Sequence, residues 1–341
     1  MDKKEFCKLI KKIPKAEIHL HCEGVISHET ARCFLMREDK NYQSINKVKN
    51  LFKYNNLSEF IQTFLLIQRS YKNLSDFKKV FIDLANYLKR NGIVYSEVYL
   101  SPTQFVKSGF IYAEIIKVIT EEIRKIRKKS GIVIKLIVDV SRTFGPENAM
   151  TNLESIITNL NNSIVGIGLG GDESKGPAKD YKEVFAVAKK HGLHRVAHAG
   201  EDVGPESIWD AINYLDIERI GHGITAIQDE KLMGLLADRS IPVEINMTSN
   251  LFTKYIVKDI KEHPVKPFYE KGIRITVNTD DPTFFNVELV DEYWNLYNEL
   301  GFTLDDIKLV VINGFESSFM KKSTKRNYIK KVNKLFNRYI K

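Results

Sequence analysis

Short apolar runs rich in β-branched residues alternate along the chain with longer segments in which apolar residues recur every three or four positions. The short runs have the length and composition of buried strands, and the longer segments have the period of amphipathic helices. The predicted strands cover residues 17–21, 94–100, 132–138, 164–169, 195–199, 219–221, 243–245 and 274–277. The predicted helices cover residues 77–90, 113–129, 148–160, 182–191, 206–215, 230–239 and 290–300. Such alternation predicts parallel strands joined by helical crossovers.

Eight strands in one continuous chain fit a closed (β/α)8 TIM barrel better than an open sheet. We therefore predict a single domain over residues 1–341. Residues 39–73 do not follow the repeat and form an insertion after strand one. Apolar residues recur in it at helical spacing, namely Leu57, Phe60, Ile61, Phe64 and Leu65. Because an insertion after a strand lies on the C-terminal face of a barrel, this one is expected to act as a lid.

The net charge of +9 is concentrated at the C-terminal end of the chain. Residues 321–341 contain nine basic and no acidic residues, so the other 43 basic residues balance all 43 acidic ones. Apolar residues also recur there at helical spacing, at Ile329, Val332, Leu335, Phe336, Tyr339 and Ile340. We interpret this stretch as an amphipathic helix packed on the barrel with its basic face in water. The alternative is a basic helix that binds nucleic acid or a membrane surface.

The remaining composition predicts a cytoplasmic protein without structural disulfides. Cysteine occurs only at Cys7, Cys22 and Cys33, and an odd number in a long chain argues against a disulfide framework. No CxxC pair is present, which argues against a thiolate zinc site. The chain has neither an apolar run of membrane-spanning length nor a leader-like N-terminal stretch.

The predicted barrel requires its reactive groups just beyond the C-terminal ends of the strands. His19 and His21 alternate on strand one, so both rings point to the same face. His198 ends strand five, His222 ends strand six, and Asp280 follows strand eight. The other histidines, His28, His191, His194 and His263, occupy positions that read as ordinary loop or surface sites.

These strand ends supply the groups that a hydrolytic zinc site needs. Three imidazoles, from His19, His21 and His198, and the carboxylate of Asp280 match the ligands that zinc binds at about 2.0–2.2 Å. A zinc ion with an open position lowers the pKa of its water to about 7. For the proton transfers, His222 is the candidate base and Glu201 the candidate acid, while Asp281 would orient the attacking water. Each residue alone is explained more simply by a structural role. A structural role does not explain why all of them occur at the ends of predicted strands.

Taken together, these motifs resemble those of the adenosine deaminase family of metal-dependent (β/α)8 hydrolases. The matching segments span nearly the whole chain and are His19-Leu20-His21 with Glu23-Gly24, Gly171-Asp172-Glu173, His198-Ala199-Gly200-Glu201, Gly221-His222-Gly223 and Asn278-Thr279-Asp280-Asp281-Pro282. The resemblance implies deamination of a 6-aminopurine nucleoside, adenosine or 2′-deoxyadenosine, to inosine or 2′-deoxyinosine and ammonia. It also implies one zinc ion per chain, bound by His19, His21, His198 and Asp280.

The resemblance also implies roles for individual residues. Glu201 would protonate or hydrogen-bond the purine N1, and the backbone N–H of Gly171 would meet N3. His222 would assist deprotonation of the water and stabilise charge on the attacking oxygen. Asp281 would hold the nucleophile and the leaving amine. His21 and Glu23 would complete the substrate-binding residues.

Departures from the family pattern leave the substrate open. Position 23 is Glu, where many members that act on nucleosides have Asp facing the ribose. Residues 246–250 read Asn-Met-Thr-Ser-Asn, where many relatives have Cys-Pro-x-Ser-Asn. The alternatives are therefore free adenine or a 5′-modified adenosine such as aminodeoxyfutalosine or methylthioadenosine. The Gly-Gly-Asp-Glu sequence after strand four favours a nucleoside over adenine.

Charge near the predicted site argues against a phosphorylated substrate. The predicted mouth carries the acidic residues Glu23, Asp172, Glu173, Glu201, Asp202 and Asp281, with only Arg142 and Lys175 as nearby cations. No arginine cluster or glycine-rich loop is present to hold a phosphate. The HxE and PCxxC signature of cytidine-type deaminases is also missing. We therefore expect a small purine nucleoside as partner, and neither nucleic acid nor membrane, and we leave the choice between monomer and homo-oligomer open.

Overall fold

Eight parallel strands lie side by side in the order of the chain and form a nearly closed barrel. The computed structural model describes residues 1–54, 57–253 and 255–338. The strands are β1 Lys15–His21, β2 Ile93–Leu100, β3 Val133–Asp139, β4 Ile164–Gly168, β5 His194–Ala199, β6 Arg219–His222, β7 Val243–Ile245 and β8 Ile275–Val277. Just beyond β8, Asp280 forms a parallel bridge with Leu20 of β1. The prediction of a (β/α)8 barrel is confirmed.

Helices surround the barrel. They are α1 Lys3–Lys12, α2 His28–Leu35, α3 Ile45–Leu51, α4 Leu57–Arg69, α5 Leu74–Arg90, α6 Thr103–Lys107, α7 Tyr112–Ser130, α8 Gly145–Thr158, α9 Lys182–Lys190, α10 Glu206–Leu215, α11 Glu230–Asp238, α12 Met247–Thr253, α13 Val265–Glu270, α14 Leu289–Asn298, α15 Leu304–Ser317 and α16 Lys322–Phe336. The seven predicted crossover helices correspond to α5, α7, α8, α9, α10, α11 and α14, with ends that differ by at most three residues.

The insertion after β1 contains α3 and α4 and packs against the loop that follows β8. The Phe60 ring of α4 stacks on Phe285 with centroids 5.2 Å apart, and Phe64 lies 5.5 Å from Phe284. The hydroxyl of Tyr54 donates to the carbonyl of Phe284 at 2.6 Å. The side chain of Leu57, one of the predicted apolar positions, lies outside the residues whose burial is described. The insertion therefore meets the chain segment that carries Asp280 and Asp281.

The basic C-terminal helix α16 packs on α15. Val332 and Phe336 are buried, and Tyr328 stacks on Phe315 with ring centroids 5.1 Å apart. Tyr339 and Ile340, which the sequence places on the same apolar face, lie outside the described residues. Within the described part of the chain, no helix is both long and apolar enough to cross a bilayer.

A buried carboxylate fixes the start of α12. The backbone N–H of Thr248 donates to Glu292 of α14 at 2.9 Å. This N–H belongs to the first turn of α12, where backbone donors have no partner within the helix. The contact matters for the site because α12 carries Ser249 and Asn250, which both reach into it.

Replacement of Glu292 by glutamine should make stability less dependent on pH. Burial raises the pKa of the Glu292 carboxyl to about 7, against the opposing effect of the bond from Thr248. The folded-state pKa is higher than the unfolded value near 4.5. The contribution of this carboxyl to the free energy of unfolding is therefore fully present below pH 4.5 and is lost as the pH rises through about 7. From pH 5 to pH 8 the variant should gain about 2 kcal/mol in unfolding free energy relative to the parent.

Urea unfolding of metal-stripped protein at both pH values measures this difference. The matched control is Glu183→Gln on the exposed face of α9. We expect its unfolding free energy to stay parallel to that of the parent between the two pH values. An equal response of the two variants would contradict a neutral Glu292 in the folded state.

Candidate active site

The C-terminal ends of three strands bring four predicted ligand side chains together. His19 and His21 come from β1, His198 from β5, and Asp280 follows β8. His21 Nε2 lies 3.3 Å from His198 Nε2 and 3.2 Å from Asp280 Oδ1. His19 Nε2 lies 3.3 Å from the same carboxylate oxygen. All four side chains are buried or nearly so.

The spacing of these atoms suits a zinc ion. Ligands placed tetrahedrally about 2.0–2.1 Å from zinc are about 3.3 Å from one another. The buried Nε2 of His19 has no hydrogen-bond partner within the described residues, which fits a nitrogen aimed at a cation. Two groupings of potential ligands occur among the described residues: His19, His198, His222 and Asp280 form one, and His21 joins Asp280 and Asp281 in the other. We favour His21, because the Nε2 of His222 is 4.0 Å from Asp280.

Charged groups inside the barrel fix the orientation of His19. Its Nδ1–H donates to Glu244 Oε2 at 2.7 Å, which leaves Nε2 free to face the other ligands. Glu244 on β7 is also bound by Arg219 at 2.5 Å, and Arg219 pairs with Glu97 at 2.6 Å. Burial alone would raise the pKa of Glu244, but Arg219 and His19 hold it below its ordinary value. Sequence reasoning did not identify these supporting residues.

Asp280 is held by an unusual backbone conformation and by a hydroxyl group. Its φ of +64° lies in the left-handed region, which non-glycine residues rarely adopt. The hydroxyl of Ser249 donates to its Oδ2 at 2.7 Å, so Oδ1 remains turned toward His19 and His21. Strain of this kind persists where the surrounding contacts determine the geometry.

Glu201 follows β5 and stands beside His222, with 3.5 Å between Oε2 and the histidine Nε2. Burial raises the pKa of Glu201 well above its usual range, and the negative charges of Asp280, Glu173 and Asp202 add to the effect. The buried Glu173 carboxylate accepts the backbone N–H groups of Gly200 and Glu201 at 3.0 and 3.4 Å. The raised pKa favours the protonated form of Glu201, and Glu173 fixes the loop that carries it.

Asp281 packs against the loop that follows β1. A Cβ on Gly24 would lie 2.3 Å from Asp281 Oδ1, so only glycine allows this approach. Burial, followed by the charge of Asp280, raises the pKa of Asp281 to about 8. A divalent cation bound to Asp280 would oppose this rise through its positive charge. A cation held beside it would therefore favour the ionised form of Asp281.

His222 faces Glu201 at the end of β6 and is fully buried. Like Asp280, it has a positive φ, of +62°. Burial lowers the pKa of His222 to about 3, and nearby His19 and His21 reinforce this effect against the charge of Asp280. The ring is therefore neutral, and its Nδ1 faces the side-chain amide of Asn250 at 3.0 Å.

A cavity of about 340 Å³ opens above these groups. His21, His198, Glu201, His222, Asp280 and Asp281 form its floor. Phe60, Ile61, Phe64 and Leu65 of α4 form an apolar wall. Gly171 also lines the cavity, with a φ of +101°, and a Cβ there would meet the Thr143 hydroxyl at 2.8 Å.

The two cations expected at the mouth have other partners. Lys175 lines the cavity but forms an ion pair with Asp172 at 2.8 Å. Arg142 is buried and donates to the carbonyl groups of Gly176 and His198. Arg142 thus stabilises loop structure behind the floor of the cavity.

Glu23 is 1% exposed and is separated from the cavity by its own hydrogen bonds. Its Oε1 accepts from the Gln68 amide of α4 and from the backbone N–H of Ser101, both at 3.2 Å. The Cys22 thiol donates to Oε2 at 3.1 Å. Gln68, which sequence reasoning missed, therefore links the insertion to the end of β1.

The expectation that His263 is an ordinary loop or surface residue is wrong. His263 is 2% exposed, and its Nε2 lies 3.2 Å from Asn250 Oδ1. Its burial follows from Pro264 and α13, which turn the chain back toward α12. The sequence signal is slight: a His-Pro pair before a short apolar helix. His194, by contrast, is partly exposed and stacks on Phe319 with ring centroids 3.7 Å apart.

Comparison with known proteins identifies a family. The adenosine deaminase family model matches residues 14–335. An adenosine deaminase from Clostridium kluyveri is 31% identical, with 98% of this chain and 95% of that protein covered. An adenine deaminase from Psychrobacter cryohalolentis is 32% identical, with 95% and 98% covered. The crystal structure of a zinc-bound amidohydrolase from Burkholderia ambifaria has the same fold, with a TM-score of 0.90, 22% identity, and 97% and 92% coverage.

Proposed function

Because the chain belongs to the adenosine deaminase family, we propose that it is a zinc-dependent aminohydrolase acting on 6-aminopurine nucleosides. The products are inosine or 2′-deoxyinosine and ammonia. One observation carries this proposal: three imidazole rings and a carboxylate meet at the floor of a cavity that Glu201 also lines, with 3.2–3.3 Å between His21 and both His198 and Asp280 and between His19 and Asp280.

His19, His21, His198 and Asp280 are the proposed ligands of a single zinc ion. The tetrahedral spacing of their atoms and the bond from His19 to Glu244 support this choice. When bound, the zinc ion supplies the Lewis acidity that makes water a nucleophile near neutral pH.

Glu201 is the proposed acid. Burial in a negatively charged environment raises the pKa of its carboxyl and so favours the protonated form. It therefore donates a proton or a hydrogen bond to the purine N1, which makes C6 more electrophilic. Glu173 keeps the acid in place through the backbone of residues 200–201.

Asp281 and His222 flank the position of the attacking water. Asp281 orients the water and the leaving amine, and His222 stabilises charge on the attacking oxygen. The N–H of Gly171, which lines the cavity, is the proposed partner of the purine N3. The new C6–O bond forms as N1 gains a proton from Glu201. The first proton lost by the water passes to the amine, which leaves as ammonia when the C6–N bond breaks, and the remaining hydroxyl proton restores Glu201 as the C6=O bond forms.

The size of the cavity favours a nucleoside over the free base. Pockets that enclose drug-sized ligands have volumes of about 300–1,000 Å³, and this one measures about 340 Å³. The chain is about equally identical in sequence to an adenosine deaminase and to an adenine deaminase, so sequence identity does not decide between the two substrates. Free adenine remains the alternative within the same reaction.

A second candidate substrate follows from the apolar wall. Phe60, Ile61, Phe64 and Leu65 face the cavity, and Gln68 is engaged by Glu23. Such a wall suits an adenosine whose 5′ position carries a less polar group, as in methylthioadenosine. We propose that Glu23 shapes this wall by holding α4 and does not itself bind the sugar.

AMP should be a poor substrate compared with adenosine. The cavity presents Asp172, Glu201, Asp202 and Asp281, while its lysine, Lys175, is already paired with Asp172. Among the described residues that line the cavity, a phosphate would thus meet acidic groups without a free cation. We expect kcat/KM for AMP to be at least a hundredfold lower, the effect of an unfavourable interaction of about 3 kcal/mol. Comparable turnover of the two compounds would contradict this interpretation.

A spectrophotometric screen with zinc-loaded enzyme tests the proposed function. The panel comprises adenosine, 2′-deoxyadenosine, adenine, methylthioadenosine, aminodeoxyfutalosine and AMP. Release of ammonia with conversion of a nucleoside to its 6-oxo product is the expected result. If the zinc-loaded protein deaminates none of these compounds, the proposed function is wrong.

A further inference from the structure

A buried chain of hydrogen bonds reaches His222 from the side remote from the cavity. The backbone N–H of Val265 donates to His263 Nδ1 at 3.1 Å. His263 Nε2 lies 3.2 Å from Asn250 Oδ1, and Asn250 Nδ2 lies 3.0 Å from His222 Nδ1. His222, Asn250 and His263 are each at most 2% exposed, so water does not compete for these bonds.

The direction of this chain is fixed at its outer end. A backbone N–H can only donate, so Nδ1 of His263 must accept from Val265. Burial lowers the pKa of His263 to about 3, so the ring is neutral and carries its proton on Nε2. That N–H donates to the Asn250 oxygen, and the Asn250 amide nitrogen then donates to His222.

This direction determines which nitrogen of His222 carries the proton. Because His222 Nδ1 accepts from Asn250, the proton of the neutral ring is on Nε2, the atom that faces Glu201. Asn246 also presents its amide nitrogen to His222 Nδ1, at 3.4 Å, in the same sense. The ring therefore offers the cavity an N–H and not a lone pair.

We propose that Asn250 and His263 are positioning residues that hold His222 as its Nε2–H tautomer, so that His222 donates a hydrogen bond to the oxygen that adds to the substrate and does not take a proton from the water. This inference rests on the proposed function. It differs from the sequence-based expectation of His222 as the base. The proposed acceptor of the water's proton is then Asp281, which lines the same cavity.

Local sequence explains how the chain of bonds is built. Val265 begins α13, where its N–H has no partner within the helix, and His263 accepts it from two residues earlier. Asn250 lies on α12, whose first turn is held by Glu292. The two short helices after β7 thus bring Val265, His263 and Asn250 together, and the hydrogen bonds between them lead to His222.

The tautomer is measurable without substrate. In zinc-loaded protein with ¹⁵N-labelled histidine, proton-coupled NMR spectra show which ring nitrogen of each neutral histidine bears hydrogen, and loss of a signal in His222→Gln assigns His222. We expect Nε2 of His222 to be protonated and Nδ1 to be bare. Protonation at Nδ1 in the parent protein would overturn the proposal, whether or not any purine is deaminated.

Asn250→Asp should reverse the tautomer. A carboxylate oxygen in place of the amide nitrogen accepts from His222, so the proton moves to Nδ1. Loss of a preorganised donor to an oxyanion lowers kcat by about 10²–10³-fold, and we expect a decrease of this size. We expect KM to change less than about threefold, which corresponds to the weak end of the effect of a neutral hydrogen bond. A bare Nδ1 in the folded Asn250→Asp variant would overturn the role of Asn250.

Two substitutions of His263 form a matched pair. Glutamine places an N–H where Nε2 stands and retains the donor to Asn250, whereas asparagine retains an acceptor for Val265 and loses that donor. We expect His263→Gln to keep the parent tautomer and at least a tenth of kcat, roughly the cost of one weakened hydrogen bond, and His263→Asn to populate both tautomers with a larger loss. Identical spectra and rates for the two variants would overturn the role of His263.

Discussion

Replacement of His21 by alanine should remove bound zinc and activity together. Its Nε2 lies 3.2 Å from Asp280 and 3.3 Å from His198, so it occupies one corner of the proposed ligand set. Alteration of an outer partner of a metal ligand costs about 10–100-fold in metal affinity, and loss of the ligand itself should exceed this. We expect zinc affinity to fall more than a hundredfold, as measured by chelator competition and by metal content per chain.

His191→Ala is the matched control, because His191 is an exposed histidine that follows α9. It should retain one zinc ion per chain and full activity. Far-ultraviolet circular dichroism of both variants checks that the barrel is folded. A His21→Ala protein that is active and binds zinc as tightly as the parent would refute the ligand assignment.

Replacement of Glu201 by glutamine should lower kcat by at least a hundredfold while zinc is retained. Glutamine preserves the shape of the side chain and its amide still donates a hydrogen bond, but it cannot release a proton to N1. General acid catalysis contributes about 10²–10⁴-fold to rates. Because the bonds from Gly200 and Glu201 to Glu173 involve only the backbone of the loop, the substitution should leave the loop in place.

Steady-state kinetics and metal content measure these two effects separately. Glu183→Gln on the exposed surface of α9 serves as the control and should behave as the parent does. Near-normal turnover by Glu201→Gln would exclude Glu201 as the acid. Loss of zinc from this variant would instead place Glu201 among the groups that hold the metal.

The barrel was predictable because each strand carries its own local signal. β-Branched runs mark the strands, and helical periodicity marks the crossovers between them. Parallel connectivity then places all C-terminal strand ends on one face, so His19, His198 and Asp280 could be grouped without knowledge of any distance. Helix α15 was overlooked although its start has a clear signal, the Thr303–Asp306 capping box.

The supporting residues were not predictable in the same way, because their roles depend on contacts between distant parts of the chain. Glu244 is recognisable as a charge in an apolar strand, but its bonds to His19 and Arg219 join three strands. Gln68 meets Glu23 only because α4 folds back over the barrel. His263 looked like a loop residue, since its sequence neighbours do not reveal the fold of the two short helices around it.

The position of Asp280 has a consequence for synthesis of the chain on the ribosome. Asp280 lies close to the point where the last strand meets the first, since it bridges Leu20 while its carboxylate faces His19 and His21. A nascent chain that has not yet extended past residue 280 can neither complete the circle of strands nor assemble the proposed ligand set. His19 and His21 therefore leave the ribosome long before Asp280, so the proposed ligand set could hold a metal ion only at the final stage of folding.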